Sequence, residues 1–160
     1  MSEKITGDLV VRKQRFAVVT SRFNDFISSR LHDAAVDTLI RHGCAKSNIT
    51  EVWVPGAFEL PLAAQKLAAS KRYDAVIALG CIIRGATTHF EHICNQAARG
   101  LAQVALDTGV PVAFGVLTTN TIEQAVERAG SKSGNKGADA ALTAIEMTNL
   151  LNQIDTDHKL

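Results

Sequence analysis

The sequence predicts a three-layer α/β/α sandwich built on a four-stranded parallel sheet. Short, almost uniformly apolar runs alternate with longer amphipathic stretches. The apolar runs show no polar alternation, so both sides of each strand need cover, which is the condition of a parallel sheet flanked by helices. Right-handed crossovers then wind the helices onto the two faces. A chain of 160 residues suits one domain with one core, with residues 1–13 as an N-terminal arm and 155–160 as a frayed tail.

The elements follow in order. Residues 15–21, RFAVVTS, form the first buried strand. Residues 26–42 set Phe26, Leu31, Ala34, Ala35, Val36, Leu39 and Ile40 mostly at helical spacing, and Gly43 stops that helix. ITEVWVPG at 49–56 is the second strand, ended by Pro-Gly. Residues 58–69 make a short helix with Pro61 in its first turn, where the missing N–H costs little. DAVIALGCII at 74–83 is the third and most apolar strand.

A long helix at 88–106 turns Ile93, Ala97, Leu101, Val104 and Ala105 inward, and VPVAFGVL at 110–117 is the fourth strand. A short helix at 121–129, a flexible loop at 130–137 and a last helix at 138–154 complete the order. LVV at 9–11 is a candidate extra strand. The small-residue face of helix 88–106, CNQAARGLAQVA, permits close helix packing between neighbouring subunits.

Composition narrows the function. Seventeen Lys plus Arg against sixteen Asp plus Glu give no electrostatic reason to expect nucleic acid or an anionic membrane. The N-terminus, MSEKITGDLVV, lacks the basic start and apolar centre of a signal peptide, and no run approaches bilayer length. Cys44, Cys81 and Cys94 are odd in number and lack Cys-x-x-Cys spacing, which fits free thiols in a reducing cytoplasm.

In such sheets ligands bind outside the carboxyl ends of the strands. All four strands exit there into unusual residues: Ser21-Arg22-Phe23-Asn24, Pro55-Gly56-Ala57-Phe58-Glu59, Arg84-Gly85-Ala86-Thr87-Thr88-His89 and Thr118-Thr119-Asn120. His89, in the first turn of a long helix, is a candidate proton carrier; the competing reading is a histidine that caps or packs. Arg84-Gly85-Ala86-Thr87 joins a cation, a glycine and a hydroxyl near a helix N-terminus, an anion-binding arrangement, or else a turn with one solvated arginine. Phe23 either stacks on a planar ring or starts the next helix's core face. Glu59 either accepts from ligand hydroxyls or complements a helix start.

His92 shares a helix face with His89, but a zinc site needs a stricter ligand set, so a surface or interface histidine is the simpler reading. Arg128 stands at the far end of its helix, about 10 Å from that helix's own sheet edge at the usual rise. It either satisfies the helix C-terminus or serves a neighbouring subunit's site. Lys136 in GNKG is a second candidate phosphate contact; GSKSGNK is one residue short of a P-loop and follows no buried strand. No dinucleotide fingerprint or nucleophile elbow is present in the sequence.

SRFND, WVPGAFELPLA, ALGCIIRGATTHFEHI, PVAFGVLTTNTIEQAVERAG and NKGADAALTAIEM together resemble the lumazine synthase family, from about residue 15 to residue 151. The resemblance implies a flavodoxin-like sandwich and a cofactor-free condensation, with no metal. In it 5-amino-6-(D-ribitylamino)uracil and 3,4-dihydroxy-2-butanone 4-phosphate give 6,7-dimethyl-8-ribityllumazine, the penultimate step of riboflavin biosynthesis. It implies that Phe23 stacks on the pyrimidine, and that Ala57, Phe58 and Glu59 line the ring and ribityl pocket. Cys81, Ile82 and Ile83 would meet the uracil largely through backbone, Ala86 and Thr87 would bind phosphate, and His89 would move protons. Phe114, Arg128 and, more weakly, Lys136 would come from the adjacent subunit.

The resemblance also implies homo-oligomers: pentamers, some stacked into decamers or closed into sixty-subunit icosahedral shells, with riboflavin synthase as a candidate partner. Two positions depart from commoner family spellings, Cys81 and His92. The alternative function is a non-catalytic lumazine- or flavin-binding protein on the same fold. A phosphate-responsive regulator of flavodoxin-like shape would need an acidic metal pocket, where this chain has glycine, threonine and arginine.

Overall fold

A computed structural model describes residues 2–131 and 133–157. The elements are β1 (Phe16–Ser21), α1 (Asp25–Arg41), β2 (Ile49–Val54), α2 (Leu60–Ala69), β3 (Ala75–Ile83), α3 (His89–Thr108), β4 (Val112–Thr119), α4 (Ile122–Arg128), β5 (Ala129–Ser131), β6 (Gly134–Asn135) and α5 (Lys136–Asp157). β1 to β4 form one sheet in the order β2-β1-β3-β4, every pair parallel. The α/β fold with a four-stranded parallel sheet is therefore as the sequence predicts.

Each strand feeds both layers of helices. Phe16, Val18, Ile77 and Leu79 pack with Leu31 and Leu39 of α1 and Ile145 of α5. Ala17, Val19, Val76 and Ala78 pack with Leu60 and Ala64 of α2 and Leu101 and Val104 of α3. Fully burying one such Leu, Ile or Val stabilises the fold by about 1.5–3 kcal/mol. The registers Ser21↔Val54 and Ile83↔Thr119 bring the carboxyl ends of the strands to one edge.

Local chemistry fixes the turns that serve this edge. α1 begins after Asn24, which holds the left-handed conformation that asparagine tolerates. It ends where Gly43 takes φ 103° and donates to the Ile40 carbonyl. α2 carries Pro61 at its start. α4 is capped by Thr121, whose hydroxyl accepts from the Gln124 N–H at 3.1 Å.

Several expectations need correction. Residues 9–11 form no strand; Val11 instead packs into the core and donates its N–H to the His42 carbonyl. Phe26 is 61% exposed because it lies off the face of α1 on which Ile27, Leu31, Ala35 and Leu39 recur every four residues and turn inward. The span predicted as a flexible loop carries the antiparallel pair β5–β6. β4 lies two residues later than expected, because α3 runs on to Thr108 before Gly109 turns the chain at φ 71°.

α5 continues through residues 155–157, which were expected to fray; the rest of that tail, 158–160, lies outside the described residues, as does Lys132 of the expected loop. On the small-residue face of α3, Gly100 serves the chain itself. A Cβ there would lie 2.7 Å from the Pro61 ring, so the glycine lets α2 and α3 approach within one subunit.

Candidate active site

The exits of β1, β2 and β3 converge on a cleft. Its larger part, about 400 Å³, is lined by Phe23 and Asn24 after β1, by Ala57, by Cys81, Ile82 and Ile83 of β3, by Gly85 and Thr87 of the next turn, and by His89, Phe90 and Ile93 of α3. A second part, about 260 Å³, is bounded by Gly56, Ala57, Phe58 and Glu59 together with Phe23, His89 and Ile93. Phe23, Ala57, His89 and Ile93 are common to both, so His89 stands at their junction. A larger cleft of about 550 Å³ lies between the N-terminal arm and α5 and holds none of the candidate residues.

Backbone contacts build the wall around Phe23. The N–H groups of Arg22 and Phe23 donate to the carbonyls of Val54 and Pro55 at 2.8 and 3.1 Å, tying the β1 exit to the β2 exit. The Phe23 ring then covers Gly56, yet remains 67% exposed. An aromatic face so open, at the mouth of a cavity, is available to a planar ligand. Glu59 reaches back at the start of a short turn: its Oε2 accepts from the Gly56 N–H at 3.0 Å, and its own N–H donates to the Gly56 carbonyl at 3.2 Å. Its carboxylate has further lone pairs for a ligand hydroxyl.

On β3, Asn24 Nδ2 donates to the Cys81 carbonyl at 2.9 Å. That carbonyl already has one partner, and Cys81, Ile82 and Ile83 all stand in register with β4, opposite Leu117, Thr118 and Thr119. Burial pushes the Cys81 thiol up to about 11, so at neutral pH it is neither nucleophile nor base.

The turn between β3 and α3 departs from the expected anion site in one respect. Arg84 does not face the turn as a free cation. Its Nη1 pairs with Glu91 Oε1, its Nε donates to Asn120 Oδ1 at 2.8 Å, and its guanidinium lies 4.4 Å from the Phe90 ring centroid. The Arg84 bond holds the Glu91 carboxyl below the usual carboxylate range. What remains for an anion is Gly85, Ala86 and Thr87, all exposed, and the first N–H groups of α3, which receive no side-chain cap from Thr88. The Thr87 hydroxyl accepts from the His89 N–H at 3.4 Å.

His89 and His92 are both exposed, and among the described residues no cluster of three or more His, Cys, Asp or Glu is placed to hold a metal ion. Thus Phe23, Ala57, Phe58, Glu59, Cys81, Ile82, Ile83, Thr87 and His89 are brought together at one cleft, while Ala86, exposed in the same turn as Thr87, lines neither part of it.

Three candidates are not brought there by the same subunit. Phe114 is 47% exposed on the edge strand β4, Arg128 donates to its own Gln124 carbonyl at 2.9 Å, and Lys136 is exposed at the start of α5. None of them lines the cleft. Of the lining residues, Phe90 was not anticipated and Ile93 was expected in the core, while Asn24 and Gly85 were named only as residues of the strand exits. An asparagine directly after a strand exit was the available signal for Asn24, since that residue tolerates the left-handed turn.

Fold and cleft together define an α/β sandwich with a cleft at the carboxyl edge of its sheet, where ligands of such sheets bind. Residues 13–152 match the 6,7-dimethyl-8-ribityllumazine synthase family, and the chain belongs to that family. It is accordingly a cofactor-independent transferase of the condensation step in riboflavin biosynthesis.

Proposed function

We propose that this cleft is one half of an active site completed by a second copy of the chain. In it 5-amino-6-(D-ribitylamino)uracil condenses with 3,4-dihydroxy-2-butanone 4-phosphate. The pyrimidine stacks on Phe23, and Ala57, Phe58 and Glu59 receive the ring and ribityl chain. Cys81, Ile82 and Ile83 offer backbone polar groups to the uracil. Ala86 and Thr87 hold the phosphate, and Phe114, Arg128 and Lys136 arrive from the neighbour.

The observation that carries this reading is the position of His89 at the junction of the two cavities. A proton carrier there reaches both reactants. Imine formation between the amine and the ketone releases water. Proton removal from the sugar-phosphate carbon then expels phosphate, and attack by the ribitylamino nitrogen closes the ring with loss of a second water. Each step moves a proton, the task for which a positioned imidazole suits. Oriented binding supplies the remainder, since holding two reactants in contact replaces a bimolecular encounter.

The assembly follows from the same division of residues. One domain spans the chain, and five copies arranged head to tail let each give His89 to one site and Arg128 to the next. Decamers or sixty-subunit shells are further closures of that unit, with riboflavin synthase as the candidate protein partner. The balanced charge gives no pull toward nucleic acid or membrane. Among the described residues no helix is long and apolar enough to cross a membrane, and a cytoplasmic location accords with free cysteines.

Mixing the two substrates with the protein, without nucleotide or metal, tests this directly. Lumazine absorbance and fluorescence should rise with time. Tight binding of lumazine without its formation would contradict the catalytic reading and favour a binding protein.

A further inference from the structure

The turn at residues 85–88 poses a mechanical question. It carries the proposed phosphate contacts, yet its residues are exposed, and a Cβ at Gly85 would meet no neighbour within 4 Å. The Thr87–His89 contact, at 3.4 Å, is a weak tie. Something outside the turn must hold it.

Arg84 spans it. Its backbone N–H donates to the Thr119 carbonyl at 2.9 Å, continuing the β3–β4 ladder beyond Ile83. Its side chain then crosses to the first turn of α3, where it meets Glu91 and lies over Phe90. Its Nε reaches sideways to Asn120, in the loop after β4. One residue thus joins both ends of the turn and a third segment. Phe90 is also a wall of the cleft, next to His89.

We propose that Arg84, held by Glu91, is the positioning residue of the phosphate subsite: it fixes the 85–88 turn and does not itself bind phosphate. This rests on the reading of Ala86 and Thr87 as phosphate contacts. The chemistry favours a clamp over a ligand. The guanidinium's charge is met by a carboxylate, one N–H is committed to Asn120, and one face is covered by an aromatic ring. A phosphate approaching the remaining N–H groups of Arg84 would meet the Glu91 carboxylate beside them, which would repel it.

The clamp also accounts for Glu91. Its Oε2 is buried without a hydrogen-bond partner, a cost tolerated where the other oxygen makes a charge-assisted bond. The pair is 44% exposed on each side, so its share of global stability is small. The effect should be local.

Steady-state kinetics of Arg84→Lys, Glu91→Ala and the double variant, in the native assembly, separate the outcomes. Lysine keeps the charge but loses the Nε bond to Asn120 and the planar stack on Phe90. KM for the sugar phosphate should rise about tenfold in each single variant, with KM for the uracil and the melting temperature nearly unchanged. The double variant should be no worse than either single, since the two residues form one device. Unchanged KM for the sugar phosphate, or an equal rise in both KM values with loss of melting temperature, would overturn the clamp. So would additive losses.

Inorganic phosphate, titrated by calorimetry, reads the subsite without turnover. Its Kd should rise about tenfold in Arg84→Lys, and an equal Kd would again overturn the proposal. If the wild-type protein forms no lumazine, the catalytic reading fails by itself, and this titration still decides the clamp.

Discussion

Phe23 lies over Gly56 so closely that a Cβ on the glycine would stand 2.6 Å from Phe23 Cδ2. That contact joins the exits of β1 and β2 and sets the angle of the aromatic wall. Gly56 is extended, at φ −144°, so any residue fits its backbone and only space forbids a side chain. Gly56→Ala should tilt the exposed Phe23 ring away with little loss of global stability. KM for the ribitylaminouracil should rise about tenfold or more, while KM for the sugar phosphate stays near wild type. Equal KM values for both substrates would show that the ring does not depend on this seat.

Among the described residues, His89 is the only imidazole lining either part of the cleft. His89→Ala should lower kcat by about 10²-fold or more, the range for a positioned acid–base group, and leave both KM values within a few-fold. Some rate should survive, because binding still juxtaposes the reactants. Stopped-flow single turnovers check this. Wild-type turnover in the variant would place the proton transfers on water.

Cys81 gives a pH signature. Burial pushes its thiol from 9.0 to about 11 in the folded chain. Below pH 9 the thiol is protonated in both states, and its full contribution to stability is present. Between pH 9 and about 11 the unfolded chain loses this proton first, so stability falls as pH rises, by at most about 1.4 kcal/mol per pH unit. Urea melts at rising pH should show a steeper alkaline loss for wild type than for Cys81→Ala. Matching slopes would mean the thiol is better solvated than its burial indicates.

Gly137 shows why GNKG opens α5. A Cβ there would lie 2.0 Å from the Leu31 carbonyl oxygen, so α5 can reach α1 only through a glycine. Gly137→Ala should destabilise by about 1–3 kcal/mol, the range for overpacking a tight contact. Thermal unfolding measures it, and an unchanged melting temperature would contradict the contact.

The layers were legible because the sequence states them twice. Strands such as AVIALGCII are apolar on both sides, and the helices between them are apolar on one, so the parallel sheet and both covers follow from burial alone. The site was legible in part because strand exits gather polar residues where backbone leaves the core, as Thr87 and His89 do. Arg84 was misplaced because sequence proximity cannot tell which of two partners a long side chain reaches, a phosphate or Glu91 seven residues on. Phe26 was misplaced because it was grouped with Leu31, five residues on, although Ile27, Leu31, Ala35 and Leu39 mark the inward face at spacing four. Arg128, Phe114 and Lys136 lie outside the cleft of their own subunit, and Arg128 already bonds its own helix, so one chain's pattern holds no signal that separates a local role from a shared one.

The shared site is tested most directly by mixing subunits. His89→Ala and Arg128→Ala are each prepared, unfolded, combined in equal amounts and refolded together. Where one subunit supplies imidazole and its neighbour supplies guanidinium, about a quarter of the sites in the mixture regain both groups, and activity should rise far above either parent. Activity that stays at the mean of the two parents would place both residues in the same subunit's site and contradict the division.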